Sequence, residues 1–183
     1  MTGPSPFGEP GVSAERALLD RRIVLLSGKI DSARASEAAA TVMTLDALGD
    51  DPVELRLNAE SDSLDVAFTL MDTIEVLGVQ VNATVASTVG GTIAGVLAVC
   101  TNRRIGALGR IHLREPTADF SGAATDLHRR ATGLETQVRS YLRRLAEATG
   151  QAFEHVEADL RLGRHLTAES ALGYGIVDEI VRP

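Results

Sequence analysis

The residues best suited to chemistry gather in Ser87-Thr88-Val89-Gly90-Gly91-Thr92. A β-branched run from Val79 to Ala86 precedes them, and an apolar helical pattern follows as far as Cys100. A strand that ends in a tight glycine turn and enters a helix exposes one side chain. The free N–H groups of the first helical turn can then stabilise an oxyanion. Glycines at such a turn let a substrate backbone approach closely. By this pattern Val89 stands where a nucleophile would be presented, yet valine has no hydroxyl or thiol to offer. The hydroxyls of Thr88 and Thr92 are better suited to satisfying the turn's own backbone. Strand-Gly-Gly-helix turns also serve ordinary packing, so the turn alone defines no activity.

The remaining reactive side chains are scattered. Cys100 is the single cysteine and lies in an apolar run, which predicts a buried, inert thiol and no intrachain disulfide. His128, His155 and His165 do not stand at metal-ligand spacing with Cys or carboxylates, so packing or surface roles are expected, with no metal and no cofactor. Arg129, Arg130, Arg139, Arg143 and Arg144 share one helical segment. With a formal net charge of -7 they read as a solvated face or as inter-subunit ion pairs, not as a nucleic-acid patch.

These groups need a frame, and the chain alternates strands with helices. Arg22–Gly28, Val53–Asn58, Val79–Ala86, Arg110–Glu115 and Ile176–Val181 read as strands. Helical spacing runs through Ala35–Leu48, Ser63–Leu77, Thr92–Cys100 and a long stretch from Ala123 to Thr149. In that stretch Leu127, Ala131, Leu134, Val138, Tyr141 and Leu145 form a stripe, and Gly150 ends it. Shorter helices pass through Val156 and cover Thr167–Leu172. The pattern implies one α/β domain over residues 13–183 with mostly parallel strands, preceded by a Gly- and Pro-rich flexible tail over 1–12. At 183 residues, 44% hydrophobic and 23% charged, the chain has ordinary globular usage for a single core. Only 3% is aromatic, so that core is built from Ala, Val, Leu and Ile. No signal peptide or membrane span is expected, and the lone cysteine fits a reducing, cytoplasmic setting.

The order of these segments resembles the ClpP family, the serine peptidases (family S14) that form the proteolytic subunit of the Clp protease. The matching pieces are Leu18–Gly28 with Ile30-Asp31, Leu57-Asn58, Met71–Ile74, Gly90-Gly91 and Arg110-Ile111 leading to Pro116. They continue with Ala124–Asp126, Ala148–Gln151, Ala168-Glu169 and Tyr174–Asp178. The resemblance implies a crotonase-like spiral of β-β-α units with a protruding handle helix at about 123–149. It also implies heptameric rings stacked through those handles into a tetradecamer. The family's catalytic residues carry over poorly. Its serine position matches Val89, its histidine position matches Arg114, and only its acid is kept, at Asp159. A guanidinium stays protonated and cannot serve as a general base. The family's Pro-Gly-Gly substrate and oxyanion segment aligns with Glu60-Ser61-Asp62, next to Gly90, where carboxylates would repel a developing oxyanion. The family fold sets positions 114 and 159 side by side, so Arg114 is expected to pair with Asp159.

Three functions follow. A catalytically degenerate ClpP-like subunit would act through assembly, in rings of its own or in mixed rings with active ClpP subunits. An active endopeptidase would use Ser87, His112 and Asp159, since a shift of two residues along a strand keeps the same face. A crotonase-like domain would bind an acyl-CoA thioester with Glu60 as its acid. The resemblance also implies an AAA+ unfoldase partner, and the departure of Met1–Val12 from the family's pore-lining segment argues against its docking here.

Overall fold

Alternation of apolar and polar side chains dictates the central strands. Along β2 (Val53–Ser61) every second residue, Val53, Leu55, Leu57, Ala59 and Ser61, is buried, as a pleated strand with one covered face requires. β1 (Ile23–Lys29) lies parallel to β2 on one side and β3 (Val81–Gly91) on the other. The structure, a computed structural model, describes residues 10–118 and 124–182, with side chains from residue 14 and, in the long helix, from residue 129. The complete order is α1 (Pro10–Leu19), β1, α2 (Ser32–Leu48), β2, α3 (Leu64–Glu75), β3, α4 (Ala94–Leu97), β4 (Arg103–Gly106), β5 (Arg110–His112), α5 (Ala124–Thr149), α6 (Phe153–Leu162), β6 (His165–Thr167), α7 (Ala168–Tyr174) and β7 (Glu179–Val181).

The sheet runs β1-β2-β3-β4-β7 with every neighbour parallel. β3 is long enough to take two partners along one edge. Its first half pairs with β4 at Ala83–Val85, and its second half pairs with β5 at Thr88–Gly90. β5 in turn pairs antiparallel with β6. The result is a mixed α/β domain with a mostly parallel sheet, the class expected from the alternation and from the resemblance. α2 and α3 cover the sheet with Ala35, Ala38, Val42, Leu45, Leu70 and Met71, all buried. Each fully buried Leu, Ile or Met contributes about 1.5–3 kcal/mol of transfer free energy. Cys100 is buried as expected, and burial pushes its thiol up to about 12, which keeps it protonated and unreactive.

The sequence reading needs correction in several places. Residues 10–12, assigned to the tail, belong to α1, whose first helical residue is Pro10, a position that needs no N–H and suits proline's fixed φ. Residues 1–9 of that tail and the expected helix start at Ala123 lie outside the described residues. The strand expected over Arg110–Glu115 stops at His112, and Leu113 N–H donates instead to the Arg164 carbonyl at 2.9 Å. The Thr92–Cys100 helix reduces to one turn, α4, whose flanking bonds run from residue i+3 back to i in a tightened spiral. β4 and β6 carry mostly charged and polar residues and follow from tertiary pairing, not from local pattern.

α5 spans 26 residues and divides into two halves. Tyr141, Leu142, Leu145 and Thr149 are buried, whereas no residue from Arg129 to Ser140 is. The buried half is pinned over the end of β3. The Tyr141 hydroxyl donates toward the Thr92 carbonyl at 3.3 Å, and its ring covers Gly95, where a Cβ would fall 2.3 Å from Tyr141 Cε2. Gly150, with φ +68°, ends the helix.

Candidate functional site

The site is built on the second half of β3, and a bulge sets its geometry. Leu57 faces Val85 across the β2–β3 ladder, but Ala59 faces Val89. Three residues of β3, Ala86, Ser87 and Thr88, therefore oppose the single Asn58. Such an insertion breaks the two-residue period. Val85 and Val89 are both fully buried, while Ala86, Ser87 and Thr88 are all exposed. The Asn58 side chain repairs the ladder by accepting the Thr88 N–H at 3.2 Å. Ser87 is thus not on the face of Val89, contrary to the expectation drawn from strand parity.

Beyond the bulge the turn expected over Val89-Gly90-Gly91 narrows to its last residue. The chain stays in the ladder, with Gly90 between Glu60 of β2 and His112 of β5. The turn comes at Gly91, which has φ +61° and packs so tightly on the end of β2 that a Cβ would overlap the Ser61 carbonyl oxygen. Thr92 N–H, a donor that a nucleophile turn would leave free, is given to that Ser61 carbonyl at 2.6 Å. The Thr92 hydroxyl donates to the Ser63 carbonyl at 2.8 Å and lies 3.1 Å from that of Ser61. Thr92 therefore serves the backbone, as its type suggested.

Arg114 closes this region. Its Nε donates to Asp62 Oδ1 at 2.8 Å, its Nη2 lies 2.7 Å from the same oxygen, and Glu60 Oε2 lies 3.4 Å from that Nη2. Gly90 and Gly91 lie directly against these groups. A Cβ on Gly90 would stand 3.5 Å from Glu60 Oε2 and 3.9 Å from an Arg114 Nη atom, and one on Gly91 would stand 2.6 Å from Asp62 Oδ1. A second tie joins the same two segments, Thr117 N–H donating to the Asp62 carbonyl at 2.9 Å. Two carboxylates and a guanidinium thus lie against the Gly90-Gly91 backbone. Glu60, the acid named for a thioester site, is half exposed and has Arg114 as its ion-pair neighbour.

Asp159 is not the partner of Arg114. Its carboxylate, almost fully buried on α6, accepts from Arg164 Nη1 at 2.8 Å and lies 3.2 Å from His155 Nε2. Arg164 is five residues away through the α6 C-cap, where Gly163 adopts φ +66° and folds the chain back. The expected pairing fails because a nearer cation reaches the acid first. Arg164 also lies over the Tyr174 ring, 5.4 Å from its centroid. Burial first, and then the Asp159 charge, push the Tyr174 phenol far above its ordinary value.

His112 is likewise turned to other neighbours. Its ring stacks on His165, with centroids 3.7 Å apart and planes inclined by 17°. Burial lowers its pKa first, and the His165 and Arg114 charges lower it further, against the Gly163 carbonyl and Asp62. No hydrogen bond joins Ser87, His112 and Asp159. Two cavities border the region, of about 240 Å³ between Gly28, Lys29, Asn58 and Thr88 and about 370 Å³ between Ser63, Thr117, Arg130 and Leu134. Neither is lined by Val89, His112 or Asp159. Among the described residues no three His, Cys, Asp or Glu side chains gather as metal ligands, and no helix is long and apolar enough to cross a membrane. His165 and Arg164 escaped the sequence reading as site neighbours. The only available signal was the short sequence distance from Asp159 to Arg164.

The Clp protease family profile matches residues 8–183, and the chain belongs to that family. Among curated relatives it is 31% identical over 170 residues to ATP-dependent Clp protease proteolytic subunit 3 of Streptomyces coelicolor, covering 90% of this chain and 77% of that protein. It is 32% identical over 171 residues to the protein of the same name from Rhodococcus jostii, covering 90% and 83%. A third relative, ATP-dependent Clp protease proteolytic subunit-related protein 2, chloroplastic, of Arabidopsis thaliana, is 32% identical over 172 residues. The match covers 91% of this chain but only 61% of the Arabidopsis protein.

Proposed function

We propose that this chain is a proteolytic-subunit-like member of the Clp protease family that lacks peptidase activity and serves as a structural or regulatory ring subunit. The observation that carries the reading is the Arg114 clamp on Asp62 and Glu60 over Gly90-Gly91. The position aligned with the family's base holds a permanent cation, and the aligned oxyanion segment holds its counter-charges. Val89 at the serine position is fully buried and has no attacking atom. Asp159, the retained acid, is neutralised by Arg164 and orients no base toward β3. Acyl transfer needs a nucleophile, a base and oxyanion donors together, and positions 89, 114 and 60–62 do not supply them in this reading.

In this reading the chain works in the cytoplasm within heptameric or double rings, either of its own copies or mixed with active ClpP subunits. The exposed half of α5 is the surface available for stacking. The reading needs no unfoldase docked on this chain. A fluorophosphonate probe and a small peptide substrate test the silence. No labelling and no hydrolysis are expected, whereas labelling that vanishes in Ser87→Ala overturns the reading. Native mass spectrometry, with and without active ClpP subunits, separates mixed rings from rings of one chain. A strict monomer under both conditions overturns the assembly role.

A further inference from the structure

We propose that His112 and His165 form a proton-operated latch on the β5–β6 hairpin, stacked and closed when neutral, repelled and open when both carry a proton. The inference stands whether or not the chain cleaves peptides. Its basis is the geometry of the pair. The two residues face each other across the antiparallel β5–β6 ladder, and their rings lie 3.7 Å apart and nearly parallel. One positive charge is tolerable there. Two at that separation repel each other.

The surroundings decide how easily the second proton enters. Arg114 on the same segment repels it and Asp62 attracts it, but Asp62 is already held by Arg114. Arg164, next to His165, is balanced by Asp159 of α6. β3 offers only Gly90 at this rung, and α7 brings Glu169 in its first turn. The Gly163 carbonyl favours a proton on His112, while burial of the ring disfavours it more. The neutral pair therefore stabilises the closed hairpin fully above the ordinary histidine value of 6.5. That contribution is lost as pH falls through the lowered value of His112.

Opening has a defined consequence. β5 leads from its rung beside Gly90 to Arg114, so its release frees the strand that holds the clamp. A protonated His112 also competes with Arg114 for Asp62.

Imidazole and amide NMR of the full chain between pH 8 and 4.5 tests the latch. The two rings are expected to titrate in coupled steps, with the second proton bound at least about tenfold more weakly than the first. Exchange protection of the Leu113 amide, corrected for intrinsic rates, is expected to fall about tenfold as that second proton binds. In His165→Gln the second step should vanish and the fall in protection should become smaller, leaving only the part due to burial of the His112 ring. Independent titration of the two rings, or protection that does not change with pH in the wild type, overturns the proposal. The wild-type titration decides it alone if the variant does not fold.

Discussion

Arg114 and Asp62 follow two strands, β5 and β2, that never pair with each other, and they meet 2.7 Å apart across Gly90 of the strand between them. The ion pair therefore ties three strands at one level. Its geometry is good, but about a third of each side chain is exposed to water, so its net worth is modest.

A double-mutant cycle with Arg114→Ala and Asp62→Ala should give a coupling of about 0.5–1 kcal/mol in urea unfolding. The same cycle between Arg114 and Asp159 should be additive. Coupling in the second cycle and none in the first would contradict the observed partners.

A hydroxyl placed at position 89 should not become a reactive serine. Val89→Ser is expected to remain unlabelled by fluorophosphonate, because position 89 is closed to water in a rung with Ala59 and Ile111. It should also lower stability by about 2 kcal/mol, since it shrinks a fully buried side chain and buries a new polar group. Chemical denaturation and probe labelling of the same preparation check both halves.

Gly91 tolerates no side chain. Its φ of +61° disfavours any L-residue, and a Cβ would overlap the Ser61 carbonyl oxygen. Gly91→Ala should cost about 3 kcal/mol or more, or prevent folding. A thermal melt within 1–2 °C of wild type, on the order of measurement scatter, would show that this turn is built differently.

Tyr141 joins α5 to the end of β3. Tyr141→Phe removes one buried donor and should cost about 1 kcal/mol. Tyr141→Ala leaves a cavity over Gly95 and should cost about 3–5 kcal/mol. Equal effects of the two variants, read by urea unfolding, would show that the hydroxyl alone carries the contact.

Much of the frame is legible in the sequence, and the reasons are local. β1, β2, α2 and α3 follow from apolar periodicity, because each buries one continuous face. The glycine pair at 90–91 is visible as a close approach, but whether it turns or stays in the ladder depends on β5, a partner 20 residues away. The β3 bulge leaves no trace in the pattern, since Ala86, Ser87 and Thr88 read as an ordinary strand end. The side-chain partners are the least legible. Arg114 is 52 residues from Asp62, and only the parallel pairing of β2, β3 and β5 brings them together. Resemblance pointed Arg114 at Asp159, and the local geometry of the α6 C-cap gave that acid to Arg164 instead.

A second acid offers a pH test away from the site. Asp178 joins β7 to β4 through Arg103, accepting Nε at 3.0 Å and the backbone N–H at 2.8 Å. The Arg103 side-chain hydrogen bonds hold its carboxyl below the ordinary value of 3.8. Its stabilisation is therefore complete above that value and lost as pH falls through the lowered one. Asp178→Asn should reduce stability at pH 6 and flatten the acid limb of the stability curve. A parallel offset between wild type and variant down to pH 2, measured by denaturant melts, would contradict this.

Ala59, Val89 and Ile111 make one rung across β2, β3 and β5, closed to water at all three positions. Two steps back along β3, Ser87 is already outside. On this strand, distance along the chain and depth in the protein are decoupled, so a reactive group cannot migrate by small slips while staying in the same surroundings. Each step through 86–88 changes its solvent, its neighbours and the acidity of whatever it carries. A polar group placed at 89 would therefore have to be matched at 59 and 111, which share its closed rung.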